Sequence, residues 1–266
     1  MSEISEVISF EITSDFGFFK KPDVNTPIYF TYNIIPKPTL LGILGAIVGF
    51  RGYSQTKNSN EFPEFYQKFK DLLVSVAPLA KKGVFQKQII KYNNSVGYAN
   101  RDGVLNIAEQ TLIKPSYKIY IALDLSNKNH KLLKRYLLAN KTENSYIPNY
   151  EYIPYMGKNE FKIDIKNIQV FENISYELDE VFAISTLFQN SSKEAIKLNK
   201  ALRDPFDLSM SETYFYYFER LPISFDELGQ YKYENFCYTN AKFSKNSDFI
   251  QNLKLVKIGT KTICLY

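Results

Sequence analysis

Tryptophan is absent from this chain, histidine occurs once, as His130, and cysteine twice, as Cys237 and Cys264. So few of these residues exclude a disulfide framework and a cysteine–histidine metal cluster, and they fit a reducing, intracellular setting. One histidine also leaves most histidine-based acid–base chemistry without a partner. No cofactor or metal is implied. Long apolar runs are missing too. The longest, Leu40 to Phe50, is well short of the ~20 residues that cross a bilayer. Met1 is followed by Glu3 and Glu6, not by a basic and then an apolar stretch, so no secretory leader or membrane partner is expected and a cytoplasmic location is.

What is present points to a folded, cationic protein. Tyrosine and phenylalanine number 21 each, and 45% of the 266 residues are hydrophobic, enough for a sizeable core and against disorder. The net charge of +5 is unevenly spread. From Lys81 to Lys141, twelve basic residues face only Asp102, Glu109 and Asp124. Such a stretch inside a folded domain either fits a polyanion such as nucleic acid or forms a solvated lysine-rich face.

The densest motif is Pro36-Lys37-Pro38-Thr39-Leu40-Leu41-Gly42-Ile43-Leu44-Gly45-Ala46-Ile47-Val48-Gly49. The prolines predict extended chain up to Thr39, and Thr39 is expected to cap the following helix. That helix is apolar all round, so it must be buried, and its glycines admit another backbone at close range. Lys37 before it and Arg51 after it make its end a candidate phosphate seat.

Around this motif the spacing predicts a strand over 5–12, with Ile8, Phe10 and Ile12 on one face and Ser9 and Glu11 on the other. A loop mixing aromatics with lysines, Asp15 to Pro22, follows, then extended chain from Ile28 to Ile34. Phe62, Phe65, Tyr66, Phe69, Leu72 and Leu73 predict an amphipathic helix over 62–74. Strands are expected over 84–92, 119–125 and 161–171, and a helix over 128–139. Asp102-Gly103 marks a hairpin turn within 94–109. The order strand, helix, strand, strand, helix, strand is the ferredoxin-like arrangement shared by RNA-recognition domains. The expected fold class is therefore α+β: a ferredoxin-like, RRM-like domain over 1–166 with a projecting hairpin, and a smaller β-rich domain over 167–266. In the second part a helix near 193–202 precedes strands at Thr213–Phe218, Tyr238–Phe243, Leu253–Ile258 and Thr262–Leu265.

Three segments carry a family resemblance. The helix motif, preceded by a strand and an aromatic, basic loop, resembles the fifth family of CRISPR-associated proteins, within the RAMP superfamily. Glu109 to Tyr120 resembles the strand returning from that family's thumb hairpin, and Tyr152 to Phe161 its approach to the last strand of the domain. The subtype most resembled is type I-B. The resemblance implies a non-catalytic subunit of a type I Cascade complex that caps the 5′ handle of the crRNA. It also implies contact with the repeated backbone subunit and the large subunit, with target DNA nearby. In one subtype such proteins cut repeat RNA without metal, so repeat-specific endoribonuclease activity is the alternative, and a general single-strand binder a second one. His130 is read as an exposed helix residue rather than a base.

The candidate RNA-binding residues are Phe19, Lys20, Lys21, Lys37, Thr39, Arg51, Tyr98, Asn100, Arg101 and Lys114. Phe19 with Lys20 and Lys21 combines stacking surface with cations, unless the ring belongs to the core. Lys37, Thr39 and Arg51 border the buried helix. Tyr98, Asn100 and Arg101 lie on the thumb segment, and Lys114 on its return strand, facing either RNA or solvent. Gly157-Lys158 is read as a turn, Glu160 as structural, and Gly229 and Gly259 as turn glycines.

Overall fold

The computed structural model describes residues 4–24, 26–56, 61–93, 106–139, 149–190 and 214–266. The expected helix near 193–202 and the thumb residues Tyr98, Asn100 and Arg101 lie outside these residues, as does the Asp102-Gly103 turn.

The elements in chain order are β1 (Glu6–Thr13), β2 (Phe16–Gly17), β3 (Ile28–Tyr29), α1 (Lys37–Val48), α2 (Glu64–Phe69), β4 (Leu73–Pro78), β5 (Lys87–Asn93), β6 (Asn106–Ile113), β7 (Ser116–Leu123), α3 (Lys128–Ala139), β8 (Asp164–Phe171), β9 (Ile174–Ser175), β10 (Val181–Ala183), β11 (Phe188–Gln189), β12 (Tyr216–Phe225), β13 (Tyr231–Thr239), β14 (Lys242–Ser244), β15 (Lys254–Ile258) and β16 (Lys261–Leu265). The chain is α+β, with mostly antiparallel strands.

The central sheet runs β4-β7-β1-β8, each pair antiparallel. Its path is β1, α1, β4, β7, α3, β8, with the β5–β6 hairpin inserted between β4 and β7. Ile8, Phe10, Ile12, Val74, Val76, Ile119, Ile121 and Leu123 face the main core, where Leu40, Leu41 and Leu44 of α1 and Leu133 and Leu137 of α3 pack. Each fully buried aliphatic side chain contributes about 1.5–3 kcal/mol, so this face dominates stability.

The second face of the sheet departs from the expected alternation. Val7, Ser9 and Ser75 are buried, because β15 and β16 cover that face with Val256, Ile258, Ile263 and Leu265. The cover is stitched to the sheet edge. Val74 and Tyr266 exchange backbone hydrogen bonds of 3.1 and 2.9 Å, and the Leu187 amide donates to the Val76 carbonyl at 2.8 Å. The main core also takes Leu187, Leu221 and Phe236.

Three local expectations are corrected. Thr39 does not cap α1. Pro36 holds the cap position, Lys37 opens the helix and Pro38 sits in its first turn, where the missing N–H would lack an intrahelical partner anyway. The helix expected over 62–74 spans only Glu64–Phe69. Leu73 instead begins β4, because Val74 and Val76 alternate with Ser75 and Ala77 against β7, a period that suits a strand and not a helix. His130 is 8% exposed, and its Nδ1 accepts the Asp124 amide hydrogen at 3.0 Å. That contact ties α3 to the end of β7 and buries the ring.

The glycines of α1 differ in consequence. A Cβ at Gly45 would lie 2.4 Å from Cβ of Phe65 in α2, whereas one at Gly42 would meet only the Phe65 ring, at 3.7 Å. Gly45 thus sets the closeness of the two helices. Gly45→Ala is expected to destabilise the fold by about 1–3 kcal/mol through overpacking. Gly42→Ala should be neutral or slightly stabilising through helix propensity. Urea denaturation of the two variants checks the contrast.

Candidate nucleic-acid interface

The β5–β6 hairpin is a ladder running from Lys87↔Leu112 to Asn93↔Asn106. β6 carries β2 and β3 on its other edge, leaving β5 outermost. β5 is exposed almost throughout, with Ile89 at 52% and Tyr92 also in solvent. Alternation puts Lys87, Ile89 and Lys91 on one face and Gln88, Ile90 and Tyr92 on the other.

A buried ion pair fixes the base of this arm. Glu109 is 2% exposed and pairs with the Lys158 ammonium. The Tyr92 hydroxyl donates to Glu109 Oε2 at 3.2 Å, and Lys158 Nζ donates to the Tyr92 oxygen at 3.1 Å. Lys158 also lies over the Phe18 and Tyr92 rings, 5.5 and 4.8 Å from their centroids. Burial alone would lower the Lys158 ammonium, but its bonds to Glu109 and Tyr92 outweigh this and raise it. The preceding residue must be glycine. Gly157 has φ +87, and a Cβ there would sit 1.7 Å from the Phe18 carbonyl oxygen.

Beside Gly157 a groove of about 580 Å³ crosses the open side of α1. Its floor is Thr39, Gly42 and Ala46, small residues spaced to share one helical face. Its walls are Tyr53, Tyr152, Tyr155, Phe225 and Tyr231. Tyr53 is 60% exposed, and Tyr231 stacks on Phe225 with centroids 4.7 Å apart. Among the described residues, no charged side chain lines the groove. Lys158 follows Gly157 at one border, and Arg51, paired with Glu64 at 3.0 Å, precedes Gly52 at another. The wall at 151–152 is built by helix-end chemistry: the Glu151 and Tyr152 amides donate to the Ile47 and Ala46 carbonyls, both at 3.0 Å. These satisfy carbonyls that the end of a helix leaves free. Glu151 also accepts from the Tyr136 hydroxyl of α3.

The sequence candidates divide by burial. Phe19 is 3% exposed, packs against Tyr117 with centroids 6.3 Å apart, and donates its N–H to Thr31 Oγ1 at 2.8 Å. Its ring belongs to the core and offers no face to a base. Lys20 is exposed, its ammonium 3.8 Å from the centroid of the exposed Tyr29 ring. Tyr29 pairs with Glu109 in the ladder, which brings Lys20 to the base of the hairpin. Lys21 turns the other way, to Glu219 at 3.5 Å and the Tyr32 ring at 5.0 Å.

Lys37 is half-buried, donates to the Tyr266 main-chain oxygen at 3.0 Å, and is pushed down to about 8 by burial. Its charge is therefore turned to the β4–β16 edge. With Pro38 also removing an N–H from the first turn, the expected phosphate seat does not form there. Thr39 lines the groove, Arg51 lies in a neighbouring cleft with Glu64, and Lys114 stands apart in a third cleft with Lys162 and Lys166. Tyr29, Tyr92 and the groove tyrosines were not singled out from the sequence. The density of rings in Tyr150-Glu151-Tyr152-Ile153-Pro154-Tyr155 was the available signal. Local spacing assigns Lys158 to a turn and does not reveal its pairing with Glu109.

No protein-family pattern matches the sequence, and no curated protein is similar to it. Among solved structures, the chain is similar to a CRISPR protein from Archaeoglobus fulgidus, with 10% identity, 98% of each chain covered and a TM-score of 0.46. It is also similar to a chain of a CRISPR RNA-guided surveillance complex, with 11% identity, 90% of this chain and 91% of that one covered, and a TM-score of 0.47. A third similar chain belongs to the type III-B Cmr-beta assembly bound to cognate target RNA and AMPPnP, with 11% identity, 93% and 88% covered, and a TM-score of 0.40.

Two predictions follow from these side chains. Lys158→Met leaves the Glu109 carboxylate buried without its cation. It should cost about 3–5 kcal/mol in urea denaturation, and Glu109→Gln in the same background should recover part of the loss. The second concerns pH. Lys37 titrates at about 8 in the folded chain against an ordinary 10.5, so above 8 the unfolded state holds the extra proton. This proton uptake makes stability rise from pH 8 toward 10, where tyrosines of the unfolded chain begin to ionise. Lys37→Met should lose that rise, as read from denaturation midpoints across the window.

Proposed function

We propose that the chain is a non-catalytic RNA-binding subunit of a type I CRISPR surveillance complex. In this reading it belongs to the fifth family of CRISPR-associated proteins, of type I-B kind, and holds the 5′ handle of the crRNA. The carrying observation is the uncharged, tyrosine-walled groove over α1, bordered by Arg51 and Lys158 and standing beside an exposed, lysine-bearing hairpin. A single strand needs planar surfaces for its bases and cations for its phosphates. Bases would lie against Tyr53, Tyr152, Tyr155 and Tyr231, and phosphates would meet Arg51 and Lys20.

The β1-α1-β4-β7-α3-β8 path supports a ferredoxin-like domain whose β5–β6 hairpin is the thumb. The β-rich remainder, from 167 onward, is proposed as the second, smaller domain, although its side chains enter the common core. The exposed face of β5 is the surface offered to the backbone and large subunits, with target DNA nearby, in the cytoplasm. Guide pairing would supply target specificity while the protein reads the handle's shape. His130 takes no part in strand cleavage in this reading, since its Nδ1 already holds the Asp124 amide.

Fluorescence anisotropy with labelled guide RNA tests the proposal. Wild-type protein should prefer its own handle to a scrambled sequence and lose affinity steeply with salt. Tyr155→Ala should weaken binding by roughly tenfold, the scale of one lost base–aromatic stack. Equal affinity for the scrambled strand would instead indicate a general single-strand binder, and unchanged binding by Tyr155→Ala would remove the groove from the site.

A further inference from the structure

We infer that a second cleft, where the ends of β1, β6 and β8 meet, is a ribose–phosphate subsite that favours RNA over DNA; the inference rests on the RNA-binding reading above. The cleft, of about 450 Å³, is lined by Ser14, Asp15, Lys114, Glu160, Lys162, Asp164 and Lys166 among others, none of them aromatic. It therefore offers no stacking surface for a base and suits the sugar–phosphate chain instead.

Its charges are unspent. Lys162, Asp164 and Lys166 alternate onto one side of the chain entering β8. Among the described residues, Lys114, Lys162 and Lys166 form no ion pair, although Asp15, Glu160 and Asp164 line the same cleft. The Ser14 hydroxyl is buried there without a hydrogen-bond partner. Cations beside free carboxylates match a phosphate next to a ribose: the lysines take the anionic oxygens, and a carboxylate accepts the 2′-hydroxyl hydrogen. Only RNA has that hydroxyl.

Lys114 shows a local conflict at the same place. It is exposed, has φ +47, and precedes Pro115, while its N–H donates to the Asp15 carbonyl at 2.8 Å. The two residues between β6 and β7 must turn the chain from one sheet into another. Glycine or asparagine would adopt that left-handed turn at lower cost. Asn167, also left-handed at φ +53, is a residue type that visits this region readily, and its Nδ2 donates to Glu11 at 2.7 Å. Among the described residues, the Lys114 side chain makes no hydrogen bond or ion pair. Such conflicts between residue and backbone concentrate at functional sites.

The test compares binding of single-stranded guide RNA with its all-deoxy counterpart by anisotropy. Lys114→Asn, which tolerates the same backbone, should lower affinity for both strands by roughly tenfold and reduce the salt slope by about 1. Its melting temperature should equal or exceed that of wild type. Asp164→Asn and Glu160→Gln should bring the RNA-to-DNA affinity ratio toward one. Wild-type affinity in Lys114→Asn, or a ratio unchanged in both carboxylate variants, overturns the subsite. If Tyr155→Ala still weakens binding in that case, the subsite alone fails and the RNA-binding reading stands. Wild-type protein that binds neither strand removes both.

Discussion

The carboxylate of Glu219 joins the two ends of this structure, and the arrangement of the interface depends on it. Glu219 lies in β12, nearly buried, and accepts the Asn33 amide at 3.0 and 3.2 Å and the Ile34 amide at 2.9 Å. These are charge-assisted bonds to chain that has left β3 and has not yet entered α1, where neither sheet nor helix supplies partners. Asn33 extends the junction. Its side chain accepts the Phe85 N–H and donates to the Gly83 carbonyl, and its own carbonyl accepts the Tyr117 hydroxyl at 2.5 Å. One carboxylate and one amide thus connect β12, β7, the approach to β5 and the start of α1.

The groove inherits its shape from that junction. β12 continues from Glu219 to Phe225, whose N–H is held by the Tyr66 hydroxyl of α2 at 2.9 Å. The β12–β13 hairpin then brings Tyr231 onto Phe225. One groove wall is therefore C-terminal, while the floor is α1 and the opposite wall is the chain at 152–155. Gly45 draws α2 against α1, and Gly157 lets the chain pass under Phe18. The aromatic surface is assembled from segments distant in sequence, each held by bonds that do not involve the exposed rings.

Burial also decides which cations remain available. Lys21 is drawn to Glu219, Lys37 to the Tyr266 oxygen and Lys134 to the buried Glu6 carboxylate at 2.6 Å. Each of these lysines helps offset the cost of a buried polar group. Lys20 lies over an exposed ring, and among the described residues Lys114, Lys162 and Lys166 have no ion pair. The positive charge counted along the sequence is accordingly larger than the charge the surface presents, and it is distributed over more than one region.

Where local pattern and tertiary environment agree, the elements could be read in advance. α3 spans Lys128–Ala139 as its periodicity predicts, with Leu133 and Leu137 inward and Lys128, Lys131 and Arg135 outward, because one helical face meets the core and the other meets water. The alternation at 119–123 survives in β7 as a division between two packed faces: Ile119, Ile121 and Leu123 meet the main core, while Tyr120 and Ala122 lie beneath β15 and β16. Lys37, Phe19 and the 62–74 segment depart from their sequence reading because their roles depend on partners far along the chain: the Tyr266 edge, Tyr117 and β7. The sequence by itself determined β1, α1, β7, α3 and β8 as elements, the need to bury α1 and the excess of positive charge, all of which follow from period and composition. Tertiary structure alone decided which lysines stay free, which rings face outward and where the groove lies. Those properties arise from long-range contacts and from carboxylates such as Glu219 and Glu109, whose partners no local spacing reveals.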